Sequence, residues 1–284
     1  MLSLPIRDKL VRRCRPLLGT YVEISAPCMD AIAAGFAAIA EVQQLLSAHD
    51  DSSELAAISR LAHRQPVAIS ALTATVLDRA LFWAKESAGS FDPTLGRLMA
   101  ARGLLPQDDS LPSADHHANW RDVELDERSV RLARPLRLDL GGIAKGFAVD
   151  RAVIAMRTAG ASCGLVNAGG DIRAFGSSPW SITIAAPGSR LPLGTVELLN
   201  AALATSADHG EATAIGSKHL AGASPMLASI SVEASSAMDA DALTKILMAD
   251  SPHARHCLRQ ADATALRIFR DGRIIPYDSR HPAP

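Results

Sequence analysis

The chain has 284 residues, 48% of them hydrophobic, with 29 basic and 30 acidic side chains and a formal net charge of −1. That much apolar material supports one large core or two small ones and excludes a disordered chain. The charges are interspersed, so no basic block marks out nucleic acid or an anionic membrane as a partner.

Thr20 to Ser25 alternates like a strand, and a helix is expected from Asp30, where Ile32, Phe36, Ile39, Val42 and Leu46 recur at three- and four-residue steps. That apolar face should pack on a sheet. A second helix fits Ala71 to Ala88, carrying Leu72, Val76, Leu77, Leu81 and Ala84 on one side, with Gly89 where a helix stops. Gln107 to Asn119 is polar and contains Pro112, so it reads as a surface loop. Val123–Leu125 and Ser129–Leu132 flank Asp126-Glu127 as a hairpin, and Leu136–Leu140 reads as a strand running into a glycine pair. A helix should start near Ala144. Strand-like alternation returns at Trp180–Ala186, Thr195–Leu198, Ser229–Glu233 and Ala265–Phe269, while Ala237–Ala249 and His253–Arg259 read as helices. Hairpins mixed with helical crossovers predict an α+β fold with mixed sheets and packed helices, as a single domain over residues 1–284.

Cys14, Cys28, Cys163 and Cys257 lie far apart without a CxxC or Cys/His spacing, so neither a zinc site nor a disulfide framework is expected. His116 and His117 lie in the polar loop of 107–119, and His253 and His256 share a helix face without a nearby carboxylate pair, so none is expected to be a metal ligand. The first twenty residues carry several charges but no apolar stretch of signal-peptide length, and no later run approaches about 18 apolar residues. As written, the sequence predicts no membrane span and a cytoplasmic location.

The densest chemical signal is Asp139-Leu-Gly-Gly-Ile-Ala-Lys-Gly146, an apolar run ending in two glycines and turning into a helix with a lysine in its first turn. Glycines let backbone approach an anion, amides at a helix start donate to it, and Lys145 adds a mobile positive charge. Ser90-Phe-Asp-Pro-Thr-Leu-Gly96 places a carboxylate and a hydroxyl in a turn after a helix, and Val166-Asn-Ala-Gly-Gly-Asp-Ile172 breaks an apolar strand at paired glycines. Both also fit plain turn chemistry. In Ala237-Met-Asp-Ala-Asp-Ala-Leu-Thr-Lys245, Asp241 shares a helical face with Thr244 and with Lys245. Such oxygens suit Mg²⁺ beside a diphosphate; acidic residues that stabilise a helix start are the alternative.

In their order, Leu18-Gly-Thr20, Ser53-Glu-Leu55, Phe91-Asp-Pro-Thr94, Asp139 to Gly146, Asn167-Ala-Gly-Gly-Asp171, Ala204-Thr-Ser206 and Ala240-Asp-Ala-Leu-Thr244 span nearly the whole chain. This series resembles the ApbE family of FAD:protein FMN transferases. The resemblance implies a two-lobed α+β fold holding FAD, Mg²⁺ beside the diphosphate, and transfer of FMN to a Ser or Thr hydroxyl of an acceptor flavoprotein with release of AMP. It implies FAD contacts from Leu18, Ser90, Phe91, Asp92, Asp139, Lys145, Asn167, Gly169, Gly170, Thr205 and His219. The implied metal ligands are Gly142, Asp241 and Thr244, with Lys145 and Asp241 as the catalytic pair. Family members are often exported.

The sequence also departs from the family. Ser59 stands for an asparagine, Leu18 for a methionine and Ala207 for a glycine; around Lys218 to Met226 only His219-Leu220 matches, and an Asp-Pro-x-Thr-Gly turn is missing. Lys245 stands where the family's metal-binding threonine falls, four residues after Asp241, with Thr244 one place earlier. An ammonium there is expected to pair with Asp241 and make FAD binding largely independent of Mg²⁺. Two alternatives to transfer stay open: an FAD-binding protein without activity, and hydrolysis of FAD to FMN and AMP.

Overall fold

The structure, a computed structural model, describes residues 10–108, 110–111, 115, 117–186, 191–207 and 226–278. Strands β1 (Val11–Leu17) and β2 (Thr20–Ala26) form an antiparallel hairpin through the two-residue turn Leu18-Gly19. Helix α1 (Met29–Leu46) follows, and its expected face is the buried one: Ile32, Phe36, Ile39, Val42 and Leu46 enter the core. This helix is long and apolar enough to cross a membrane, but that face is committed to packing against β2 and the rest of the core.

Helix α2 (Glu54–Leu61) and helix α3 (Ala71–Glu86) each start at a serine whose hydroxyl accepts a backbone N–H of the first turn, Ser53 from Ala56 and Ser70 from Thr73. Between them lies the short strand β3 (Val67–Ala68). Helix α3 stops where expected, with Gly89 at φ +85°. A short helix α4 (Gly96–Ala101) precedes the hairpin of β4 (Val123–Asp126) and β5 (Ser129–Leu132), and β3 pairs with β5 to complete a three-stranded sheet.

The segment 136–140 is not the strand its alternation predicts. A single parallel bridge joins Leu95 to Arg137; Leu138 N–H donates to the Ser59 hydroxyl (3.2 Å) and Asp139 N–H to the Pro93 carbonyl (2.8 Å). The segment is buried on both sides, so its amides find partners in a loop and a helix side chain instead of a ladder.

Helix α5 (Ala144–Thr158) starts where expected and leads into β6 (Gly164–Ala168) and β7 (Asp171–Phe175), which turn back on each other at Gly169-Gly170. Strands β8 (Trp180–Ala185) and β9 (Pro192–Leu198) make a separate two-stranded ribbon. The remaining elements are β10 (Ala202–Ala207), β11 (Leu227–Ala234), helix α6 (Ala237–Met248), helix α7 (Ala254–Gln260), β12 (Thr264–Phe269) and β13 (Ile274–Asp278). The main sheet has eight strands in the order β1-β2-β6-β7-β10-β11-β12-β13, with antiparallel ladders throughout. With helices on one face of it, the fold is α+β.

Strand alternation decides what each face does. On β7, Asp171, Arg173 and Phe175 face α5, while Ile172 and Ala174 join Leu198 and Leu203 in a small apolar cluster under the β8–β9 ribbon. Helices α5 and α6 meet at Gly146: a Cβ there would lie 2.1 Å from the Ala237 carbonyl oxygen. The start of α6 is clamped from α5 as well, because the Asp150 carboxylate accepts the N–H groups of Ala237 and Met238 (2.9 Å each) and the Ser236 hydroxyl (3.0 Å). This contact brings the polar residues of α6 beside the first turn of α5.

Candidate active site

A cleft of about 700 Å³ opens where the first turn of α5, the end of α1, the β1–β2 turn, the β6–β7 turn and the end of β10 converge. Both residues of the β1–β2 turn are left-handed, Leu18 at φ +56° and Gly19 at φ +68°. This is the type I′ form of a two-residue hairpin turn, and a leucine adopts it at some steric cost. Leu18 N–H donates to Gln43 Oε1 on α1 (2.6 Å), and both residues line the cleft. In the β6–β7 turn Asn167 Oδ1 accepts the Gly170 N–H (3.0 Å), and Gly169 and Gly170 have φ of +63° and +103°. A Cβ at Gly169 would sit 2.6 Å from Thr20 Oγ1, so the two glycine turns stack closely. Gly170 C=O accepts the Thr205 N–H (3.2 Å), which joins the turn to β10.

Four charged groups meet at the cleft floor. Lys145 pairs with buried Asp171. Asp241, fully buried, accepts Gly146 N–H at Oδ2 (3.3 Å) and the Lys245 ammonium at Oδ1 (2.7 Å). Burial and the neighbouring Asp241 charge push the Asp171 carboxyl up to about 6, against the opposing pull of Lys145. Burial opposes ionisation of Asp241 too, but Lys245 and Lys145 outweigh it and hold this carboxyl below the usual range. For Lys145, burial works against the charged form and the Asp171 and Asp241 carboxylates override it, so the ammonium stays protonated. The side chain of Lys145 is 31% exposed and faces the cleft, whereas that of Lys245 is 6% exposed.

The Lys245 ammonium is saturated. Its three protons go to Asp241 Oδ1 (2.7 Å), Ser206 Oγ (2.8 Å) and Thr244 Oγ1 (2.9 Å), with the Asp241 carbonyl at 3.4 Å. Thr244 donates to that carbonyl (2.7 Å), so Ser206 is the donor in its 2.7 Å contact with Thr244. Both lone pairs of Thr244 are thereby occupied, by Lys245 and by Ser206. A Mg²⁺ ion bound to Asp241 and Thr244 would have to displace one of these donors. It would also stand next to the ammonium; a divalent and a monovalent cation about 4 Å apart repel by about 8 kcal/mol at an effective dielectric of 20. The arrangement does not fit Mg²⁺ together with Lys245 in this pocket.

Of the sequence-predicted residues, Leu18, Asp139, Lys145, Gly169, Gly170 and Thr205 line the cleft. Asn167 stands behind it as the acceptor that shapes the glycine turn, and Asp241 and Thr244 lie beneath it around Lys245. Gly142 is buried in the turn before α5 and is not on the cleft wall. Nor are Ser90, Phe91 and Asp92: Ser90 donates to Ser251 (2.9 Å), Phe91 is in the core, and Asp92 accepts from Thr94 N–H (2.8 Å) while burial pushes its carboxyl up. His219 lies outside the described residues. Two of the first-turn amides expected to meet an anion are already engaged, that of Gly146 by Asp241 and that of Ala144 by Leu140 C=O. The anion-facing charge therefore comes from Lys145. Asp239 fits the helix-start reading, since Arg79 grips it bidentately (2.6 and 3.0 Å) and Trp83 Nε1 donates to it (2.8 Å). His256 has a partner that sequence distance concealed, Glu86 on α3 (2.6 Å). Gln43 and Ser206 are cleft residues the sequence reading did not assign; Ser206 closes the Ala204-Thr-Ser206 motif, while Gln43 carries no motif signal.

The model of the ApbE family matches residues 18–267, most of the chain. The chain belongs to the ApbE family. It is 34% identical over 155 residues to the FAD:protein FMN transferase of Treponema pallidum, covering 50% of this chain and 43% of that protein. To the enzyme of the same name from Haemophilus influenzae it is 29% identical, covering 61% and 56%. In these matches the chain spans about half the length of the curated relatives. The ApbE flavin transferase structure from Vibrio cholerae superposes with a TM-score of 0.81 at 22% identity, covering 95% of this chain and 98% of that one, which shows that the ApbE fold is shared.

Proposed function

We propose that this ApbE chain is an FAD:protein FMN transferase, which moves FMN from FAD to a Ser or Thr hydroxyl of an acceptor protein. The observation that carries the reading is Lys145, which presents a protonated ammonium to a cleft of about 700 Å³ beside the glycine turn of 169–170, in a chain whose relatives bear that name. A cleft of this volume suits a dinucleotide-sized ligand. The diphosphate would lie against Lys145 and the 169–170 turn, where backbone without side chains allows close approach.

In the reaction, the acceptor hydroxyl oxygen forms a bond to the FMN-side phosphorus and loses its proton. The bond from that phosphorus to the bridging oxygen breaks, and AMP leaves with that oxygen and its electron pair. Lys145 neutralises charge that builds on the phosphoryl oxygens, and positioning supplies much of the remaining acceleration. Asp139 and His49 are the proton-accepting side chains on the described lining. Mg²⁺ dependence, which the family resemblance implies, finds no support in the oxygen cage around Lys245.

The test is to incubate the purified protein with FAD, Mg²⁺ and a candidate acceptor protein, then read flavin fluorescence on the acceptor in a denaturing gel and assay free FMN and AMP. Fluorescent acceptor with stoichiometric AMP supports transfer. FMN and AMP without labelled acceptor would replace it with hydrolysis, and intact FAD that co-purifies would leave a binding protein.

A further inference from the structure

We infer that Lys245 is the resident cation of this site: its ammonium occupies the oxygen cage beside the cleft floor, so the protein binds its anionic ligand without a divalent metal. The proposal rests on the FAD reading only for the identity of that ligand. Asp241 Oδ1, Ser206 Oγ and Thr244 Oγ1 converge on one point at 2.7, 2.8 and 2.9 Å from Nζ. Three oxygens from two elements, β10 and α6, thus surround one buried positive charge, and the two hydroxyls are ordered by their own bonds, Ser206 to Thr244 and Thr244 to the Asp241 carbonyl.

A surface lysine four residues after an aspartate would be an ordinary helix pair. Lys245 differs because it is 5% exposed and its partner 0%, and because the cage is reached from the cleft lining that Lys245 itself joins. The long stem brings a single charge to the position that hard oxygens otherwise offer a hydrated ion. Unlike Mg²⁺, this cation is covalently fixed, is already desolvated by folding before any ligand binds, and is unaffected by chelators. Lys145 supplies a second fixed ammonium on the neighbouring helix, paired with Asp171 and interacting with Asp241 as well.

The experiment compares wild type with Lys245→Thr, by FAD titration in EDTA and in millimolar Mg²⁺, and by electron paramagnetic resonance of added Mn²⁺ without FAD. Wild type should bind FAD with the same affinity in both buffers and hold no Mn²⁺ at Asp241. Lys245→Thr should bind FAD about tenfold or more weakly in EDTA, recover with Mg²⁺, and hold one Mn²⁺. A wild type whose FAD affinity falls tenfold in EDTA, or which holds one Mn²⁺ that Asp241→Asn removes, overturns the inference even if Lys245→Thr fails to fold. FAD binding to neither protein in either buffer would sink the flavin reading, while the Mn²⁺ comparison would still decide about Lys245.

Discussion

Gly146→Ala sets two effects of opposite sign against each other at the contact that assembles the site. Gly146 lies in the first turn of α5, where alanine is favoured over glycine by about 1 kcal/mol on helix propensity. The added Cβ, however, would meet Ala237 O at 2.1 Å, Ala237 C at 2.5 Å and Met238 Cα at 2.8 Å, all backbone or backbone-attached atoms that no rotamer change can move. Reaching an ordinary contact of 3.4 Å from 2.1 Å requires α6 to retreat by 1.3 Å. The clamp from Asp150 to Ala237 and Met238 resists that retreat, because both bonds are 2.9 Å long and spring from the same helix α5. Overpacking costs about 1–3 kcal/mol and weakened charge-assisted bonds about 1.5–3 kcal/mol more. The clash therefore wins, with a net loss of about 1.5–5 kcal/mol, or roughly 3–8 °C in melting temperature for a chain of this size. Calorimetric melting of wild type, Gly146→Ala and Gly35→Ala provides the assay. At Gly35 the nearest atoms are Ile24 Cδ1 at 2.9 Å and Met156 Cγ at 3.1 Å, side-chain atoms that can give where backbone cannot, and alanine gains helix propensity in α1, so that variant should stay within about 1 kcal/mol of wild type. A Gly146→Ala protein as stable as wild type would refute the close α5–α6 contact and the placement of Asp241 that depends on it.

Three further outcomes are expected. Lys145→Ala should weaken FAD binding by about 1.5–3 kcal/mol in titration calorimetry, and an unchanged affinity would remove Lys145 from the phosphate site. Asp239→Ala should lower stability by about 2–3 kcal/mol in denaturant unfolding, since Arg79 and Trp83 lose a shared partner, yet leave FAD affinity unchanged; a selective loss of binding would contradict its structural role. For Asp171 the folded value, about 6, lies above the 3.8 of an ordinary aspartate, so this group's contribution to stability is full below pH 4 and is lost as the pH rises through 6. Protonating Asp171 also frees Lys145 for phosphate, so FAD affinity should rise a few-fold from pH 7.5 to 5.5, and Asp171→Asn should flatten that dependence. A wild-type affinity that is level across this range would show that Lys145 is not held back by Asp171.

Much of the architecture was legible in the chain because it is carried by local periodicity. The apolar spacing of α1, the glycine stop of α3, the β4–β5 hairpin and the start of α5 at Ala144 all follow from side chains within a few residues of one another. Strand β1 shows the limit: its residues, mostly exposed and including three arginines, carry no alternation, and only the ladder to β2 makes it a strand. The segment 136–140 failed in the opposite sense, alternating like a strand while buried on both sides with its amides given to Ser59 and Pro93. Motif order marked Lys145, the 169–170 turn and the departure at Lys245, since each depends on residue type at a given position. Tertiary structure alone decided the partners: that Asp171 answers Lys145, that Ser206 reaches across from β10 to complete the cage of Lys245, and that Asp239 belongs to Arg79 and Trp83. Such pairings join residues tens to over a hundred positions apart, and hydrogen bonding and charge act over a few ångströms of space, a distance that spacing along a chain does not encode beyond a turn or two of helix or strand.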